Sequence, residues 1–486
     1  MNPLTKSIEH RFGLWLQWIA AIEIFLIEGM IGLLAGWSSP FLAKLTKPNS
    51  TVEITLDEAS WIASLINIAR PLGAIMGAAL VYFKGSKLST LASGIPFALA
   101  WMCFFISNAV PLIYFSRTLS GIGVGMLYSS FPLYMGEISS PKIRGALVSF
   151  IMQGVTIGNL IGNIAGTYLD LSGFAAVSLV PNLIFIIFFA IMPQTPHHLI
   201  RAKRYDEAAK SIKAYNRNAD VKQELESLRF FLENDKTMNI YETMRDMNTP
   251  VNRKSLIMVT LIMVFVQSSG LYTVAAYMEI IFTANQVTVI APAMMVIIVS
   301  ILGIIASIAS MYANDKYGRK IMLTLSSFGV ATGMFLWGLN YYLLELGIEN
   351  PHLQWMSISA ALIYQITVAI GLMQVPMTIV SEMFAPNIKS FGACICNIVS
   401  AICAFTVSRT YQIMVDLITE KYVFWLYSLS MVSLAVYTMI YIPETKGKSL
   451  AEIQTMLIKQ SKKKDLDVKN NSSDNNFRND SKLEKA

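Results

Sequence analysis

Long apolar stretches, each closed by a short polar cluster, set the rhythm of this chain. They run over about 14–36, 60–82, 88–107, 110–135, 146–169, 174–192, 255–283, 287–313, 321–343, 354–380, 391–415 and 422–442. A run of about 18 or more apolar residues, coiled at about 1.5 Å per residue, crosses a hydrocarbon core roughly 30 Å thick. Lipid offers the backbone no hydrogen-bond partner, so each run is expected to be a helix. The pattern predicts an all-α polytopic membrane protein with twelve spans.

Between the sixth and seventh runs the period changes. Tyr205, Ala208, Ala209, Ile212 and Tyr215 recur at helical spacing, as do Val221, Leu225, Leu228 and Leu232. Short amphipathic helices lying under the bundle are expected there. From about 461 no apolar period remains, and "SKKKDLDVKNNSSDNNFRNDSKLEKA" reads as disordered. The expected division is 1–192 as an N-terminal half, 193–254 as a linker, 255–460 as a C-terminal half and 461–486 as a tail.

Composition fits this picture. Of 486 residues, 54% are hydrophobic and 14% charged, with mean hydropathy +0.51; soluble chains carry about 25% charged residues. The first run is too long for a signal-peptide core and has no small-residue cleavage site, so it reads as the first span. Cys103, Cys394, Cys396 and Cys403 all fall inside spans and suggest no disulfide framework. The net charge of +7 is explained by topology rather than nucleic acid. With both termini on one side, nearly all Lys and Arg fall on that side. The exceptions are Lys44, Lys47 and Lys421 opposite, and Arg70, Arg117 and Arg409 within spans. By the positive-inside rule the termini are cytoplasmic. The sequon Asn49-Ser50-Thr51 then faces outward, with Asn49 as a candidate glycosylation site.

The chain also repeats itself. "MPQTPHHLI" (192–200) returns as "YIPETKGKSLAEI" (441–453), "EISSPKIRG" (137–145) as "EMFAPNIKS" (382–390), and "YFKGSK" (82–87) as "DKYGRK" (315–320). Each pair closes the same span within its group of six. Two parallel six-helix repeats are the architecture of secondary transporters that rock about a site near the membrane midplane.

"SRTLSGIGVG", "EISSPKIRGA", "DKYGRK", "SEMFAP" and "PETKGKSLAEI" resemble the sugar porter family of the major facilitator superfamily. "GWSSPFLAKL" and "SWIASL" are similar to its insect facilitated trehalose transporter group. The likeness runs from about residue 12 to 458. It implies a cytoplasmic latch of paired charges at helix ends, here Glu137, Arg144, Asp315, Arg319, Glu382, Lys389 and Glu444. Each exposed pair is worth only about 0–1 kcal/mol, so the latch can break in every cycle. The first half departs from the family: Tyr82, Ser86 and Lys87 replace an acid and two arginines, Gln194 an acid and His197 an arginine. A weaker latch on that half, and more inward-open protein, is expected.

Sugar recognition needs amides and hydroxyls beside an aromatic face. The fifth span offers Gln153, Thr156, Asn159, Asn163 and Thr167 beside Gly154, Gly158, Gly162 and Gly166. The glycines admit a close neighbour; the amides face either a cavity or adjacent helices. Gln153 matches a family sugar contact. In the seventh span Gln267, Ser269 and Gly270 match the family, whereas Val266 and Tyr272 replace a glutamine and an asparagine. Gly270 suits a bend, and Tyr277 matches an outer-gate tyrosine. In the tenth span Gly371 and Pro376 suit a break, Pro376 near the outer gate. Gln374 stands for a proline and Met377 for a ring-stacking tryptophan. In the eleventh, Ser400 stands for a sugar-binding asparagine and Asn397 lies one turn away.

Glu23, Glu28, Arg70 and Arg117 lie inside spans. An ionisable group at mid-membrane costs about 2.5–3.5 kcal/mol and marks a functional candidate. Glu28 and Arg70 fall at equal depth and are expected to pair. Arg117 matches an arginine that faces an acid in proton-coupled relatives, but Leu33 occupies the acid's place. That favours a facilitator, while Glu28 keeps proton coupling open. The leading expectation is therefore a facilitative sugar transporter of the plasma membrane, monomeric, with a small sugar or polyol and the bilayer as its partners. A non-transporting sugar sensor and a proton-coupled symporter are the alternatives. No nucleophile, metal, cofactor or nucleotide motif points to an enzyme.

Overall fold

The computed structural model describes residues 14–48, 50, 52–140, 143–234, 240–348, 350–384, 388–446, 452 and 456. All regular structure among them is helical. Asn49 and the expected tail from 461 lie outside the described residues, as do the side chains of Asp315 and Lys389.

The first half is six long helices: α1 (Trp15–Leu45), α2 (Leu56–Lys84), α3 (Ser86–Ile106), α4 (Val110–Ile138), α5 (Arg144–Tyr168) and α6 (Leu171–Ile191). Their ends are set by local chemistry. Thr55 and Glu58 form a reciprocal capping box at the start of α2, and Asp170 caps α6 by accepting the Gly173 N–H at 3.0 Å. Lys44 donates to the carbonyls of Gly166 and Leu169 at 2.7 and 3.0 Å, closing the C-terminal end of α5.

Glycine decides the packing. A Cβ added at Gly32 would lie 2.1 Å from the Val155 carbonyl, at Gly36 2.3 Å from that of Asn159, and at Gly158 2.3 Å from that of Gly29. Thus α1 and α5 touch backbone to backbone, and the stripe read from α5 meets a second stripe on α1. The pair α2 and α4 crosses in the same manner through Gly73, Gly77, Gly121 and Gly125.

Four short helices follow: α7 (Pro196–Arg201), α8 (Tyr205–Tyr215), α9 (Val221–Asn234) and α10 (Ile240–Met247). Ala208, Ser211, Ile212 and Tyr215 form the buried face of α8. Tyr215 anchors it to the bundle: its hydroxyl lies 3.0 Å from that of Tyr134, and its carbonyl accepts from Gln17 at 3.0 Å. We call this end of the bundle the linker face and the opposite end the far face.

The second half repeats the first with breaks. Its seventh crossing is split into α11 (Pro250–Gln267) and α12 (Leu271–Ala284) by Gly270, whose φ of 70° is left-handed. A Cβ there would also sit 2.6 Å from the Tyr427 ring, so only glycine fits. Next come α13 (Pro292–Tyr317) and α14 (Arg319–Glu345), joined by Gly318 alone. Gly85 joins α2 to α3 in the same way, and both glycines have positive φ, 88° and 93°. The tenth crossing runs as α15 (Leu353–Thr367), a π turn (Val368–Leu372) and α16 (Val375–Met383), with Gly371 in the π turn and Pro376 in the first turn of α16. Finally α17 (Lys389–Tyr441) has 53 residues, about twice what a bilayer needs. Thr419, at φ 68° and ψ 158°, divides it, so the expected spans 391–415 and 422–442 meet there.

Candidate functional site

The two halves are joined along a seam, and the described ties across it lie at mid-depth or toward the far face. On α1 and α12, the Ser39 hydroxyl accepts the Glu279 N–H at 3.0 Å. On α2 and α17, Arg409 pairs with Asp57 at 2.8 Å, donates to Ser60 at 2.9 Å and lies 4.6 Å from the Trp61 ring centroid. Trp61 in turn meets Phe405 at 6.2 Å between ring centroids. On α5 and α13, Asn163 donates to Ser300 at 2.9 Å and Ser307 to the Gln153 side-chain Oε1 at 3.0 Å. The polar stripe of α5 thus looks across the seam. In this conformation Gln153 and Asn163 bond to the facing half, while Asn159 accepts from Asn163 at 3.4 Å within α5.

Deeper in the second half, Gln267 donates from Nε2 to the Ser400 hydroxyl at 2.7 Å. Two residues far apart in sequence are thereby joined, and the amide is aimed by its neighbour. The Gln267 carbonyl oxygen is buried without a hydrogen-bond partner. A buried acceptor left unmade costs about 1–3 kcal/mol, which a ligand hydroxyl would recover. Ser269 is turned inward, its hydroxyl donating to the Val266 carbonyl at 2.6 Å. Tyr272, in the first turn of α12, is 38% exposed, and its hydroxyl accepts from Arg70 of the other half at 3.1 Å. Met377 is 52% exposed and Asn397 is exposed, whereas Pro376 is buried. Tyr277 is buried, packs on Tyr411 at 5.1 Å between centroids, and keeps an unpartnered hydroxyl.

The intramembrane charges depart from expectation. Glu28 and Arg70 do not pair. Arg70 reaches Tyr272 and, at 3.4 Å, Asn67. Glu28 is 0% exposed, and neither of its carboxyl oxygens is hydrogen-bonded. Equal depth was the basis of the pairing, but the two side chains leave their helices in different directions. Glu28 lies against α5, where its Cβ is 3.2 Å from a Cβ placed on Gly154; Arg70 points across the seam. Glu23 is also buried, one carboxyl oxygen unpartnered. Arg117 is held without an acid: it donates to the Leu34 carbonyl at 3.2 Å and the Ser38 hydroxyl at 2.6 Å, lies 4.0 Å from the Trp37 ring centroid, and keeps its Nε buried without a partner. Glu279 was missed by sequence reasoning, as was the Asp57–Arg409 pair. The signal for the latter was present, because Arg409 is an ionisable residue inside an apolar run.

At the linker face the two halves differ. In the second half Glu444 accepts the N–H groups of Arg319 and Lys320 at 3.0 and 3.1 Å, capping α14 with a full negative charge. Arg319 also pairs with Glu382 at 3.2 Å. In the first half, among the described residues, the expected groups make no acid–base latch. Glu137 accepts from Ser86 at 2.6 Å, and Arg144 donates to the carbonyls of Gly136 and Ser139 at 2.9 and 3.1 Å. Gln194 has no carboxylate to offer, and its side-chain oxygen is buried and unpartnered. Burial pushes the His197 imidazole below its usual value; Glu137 pulls it up, and Arg201 and Arg144 push it further down.

This geometry has relatives. The chain is 28% identical over 464 residues to a Bombyx mori protein named facilitated trehalose transporter Tret1, covering 94% of this chain and 90% of that protein. It is 27% identical over 459 residues to the Anopheles gambiae protein of that name. There it spans 94% of this chain but only 57% of the relative's length. The fold matches the inward-open xylose transporter XylE from E. coli with a TM-score of 0.73 at 20% identity, over 90% of this chain and 99% of that one. The pattern of the sugar (and other) transporter family matches residues 20–457. With that match spanning nearly its whole length, the chain belongs to the sugar (and other) transporter family.

Proposed function

We propose that the chain is a facilitative carrier of sugars, trehalose or a hexose among them, working by alternating access. The observation that carries this reading is the buried, unpartnered carbonyl oxygen of Gln267. It sits at the break of the seventh crossing and is oriented by Ser400. It supplies an acceptor that a sugar hydroxyl would satisfy. Gln153 and Tyr272 supply further polar groups at the seam. The two halves are tied toward the far face, which supports a state open to the linker face. Arg117 is held by a carbonyl, a hydroxyl and an aromatic ring, which supports uniport over proton coupling.

In this reading the linker face is cytoplasmic, in line with the lysine and arginine asymmetry. The carrier works as a monomer in the plasma membrane, and Asn49 is the glycosylation site of its outer loop. Uptake of labelled trehalose and glucose by cells expressing the chain, with and without an inward proton gradient, tests the proposal. Saturable uptake indifferent to the gradient is expected, with Gln267→Ala raising KM several-fold. Uptake that follows the gradient would overturn the facilitator, and absence of uptake with the protein at the surface would overturn carriage of these sugars.

A further inference from the structure

Arg70 is at the midpoint of α2: it is the fifteenth of that helix's 29 residues. It stands about 20 Å from either end at about 1.5 Å per residue. A guanidinium at that depth does not face lipid; it faces a water-filled cavity or a partner. Here it crosses the seam toward α12. Its hydrogen bonds go to two neutral groups, the Tyr272 hydroxyl at 3.1 Å and the Asn67 side-chain oxygen at 3.4 Å. Both use one terminal nitrogen. The Tyr272 ring lies below the guanidinium at 5.9 Å, and Tyr272 is itself 38% exposed. Among the described residues no carboxylate pairs with Arg70. Glu28, the acid at matching depth, is completely buried against α5 with both oxygens unbonded. A planar cation with donors to spare, held by an aromatic ring in the cleft between two moving halves, matches the geometry of a carboxylate.

We propose that Arg70 is a specificity-determining residue that recognises a carboxylate on the transported solute, so that sugar acids are substrates alongside neutral sugars. The inference rests on the carrier reading above. The guanidinium binds the carboxylate through its spare N–H groups, while Tyr272 fixes its orientation. The solute's hydroxyls remain for Gln153 and Gln267. Because Arg70 belongs to the first half and Tyr272 to the second, opening the far face separates them and leaves the arginine bare to capture the anion from that side.

The test uses the full chain in proteoliposomes, with labelled D-glucose and D-glucuronate at fixed pH. Glucuronate should be taken up saturably and should compete with glucose. Its neutral methyl ester, nearly the same shape without the charge, should compete at least tenfold more weakly. Arg70→Gln should raise the KM for glucuronate at least tenfold, with Arg70→Lys recovering part of the loss. Size-exclusion behaviour and surface level report whether each variant folds. The ester comparison needs no mutation and decides the matter if Arg70→Gln does not fold. Glucose uptake with no competition from glucuronate, or with ester and acid equivalent, would overturn the role of Arg70 and leave the carrier reading intact. Neither solute crossing would overturn both.

Discussion

Arg409 offers a measure of how firmly the far face is shut. Its ion pair with Asp57 is shared with water, the two side chains being 18% and 60% exposed, so that pair alone contributes about 0.2–1 kcal/mol. The bond to Ser60 is donated by a charged group and is worth about 1.5–3 kcal/mol when intact. The Trp61 face adds about 0.5–1 kcal/mol. Arg409→Gln removes the charge and the cation–π contact but keeps a donor of shorter reach, so the closed state should lose about 1.5–2 kcal/mol. At about 1.4 kcal/mol per decade, that is roughly a 10–30-fold rise in the open-to-closed ratio. The readout is a single cysteine replacing Phe405, the ring that meets Trp61, with Cys103, Cys394, Cys396 and Cys403 changed to serine. An impermeant maleimide added from the far face should label it roughly 10–30-fold faster in Arg409→Gln. Asp57→Asn should give a rise of no more than about fivefold, since it removes only the screened pair. In a double-mutant cycle the two changes should couple by at most about 1 kcal/mol. Labelling of Arg409→Gln within twofold of the parent, or slower, would refute the assignment of closure to this cluster.

Three further outcomes follow from the same structure. Gly158→Leu puts a branched side chain where a Cβ alone would sit 2.3 Å from the Gly29 carbonyl; backbone cannot give way as a side chain can, so folded carrier recovered after solubilisation should fall sharply, whereas Gly145→Leu, with open space around it, should be tolerated. Glu444→Gln keeps the shape of the α14 cap and removes its charge, so thermal stability should drop by about 1–2 kcal/mol, read as a shift in Tm that Gln194→Ala, which alters no charged cap, should not reproduce. His197 has its pKa held below the usual 6.5, so the unfolded state takes up the proton first: stability should be full above about pH 6.5 and decline as pH falls below it, and His197→Gln should flatten that decline in a Tm-against-pH series.

Depth in the membrane was legible from hydropathy; direction around each helix was not. The twelve runs and the breaks at Gly270 and near Gly371 were visible because each depends on local composition, whereas the pivots at Gly85 and Gly318 emerged only with their positive φ. The α5 glycine stripe was visible too, but its partner on α1 is a long-range fact. Glu28 and Arg70 show the limit most clearly. Their registers agree, yet one faces α5 and the other faces the opposite half. Arg409 and Asp57 lie in different halves, and nothing local ties one to the other. At the site, Gln267 and Ser400 were each singled out, but their hydrogen bond joins α11 to α17 across 133 residues of chain and has no local signal. The latch was implied by the family resemblance, and among the described residues only the second half forms it with the expected groups.

The backbone contact between α1 and α5 has a mechanical meaning. Helices separated by side chains can slide and absorb a displacement; helices in direct backbone contact cannot. One member of this stiff pair carries Ser39, which touches the Glu279 N–H near the far face. The other carries Gln153, which touches Ser307 deeper in the seam. The two contacts with the second half are thus carried by one closely packed pair of helices. A replacement at Gly32, Gly36 or Gly158 that forces α1 and α5 apart would therefore disturb the far-face contact and the Gln153 contact together.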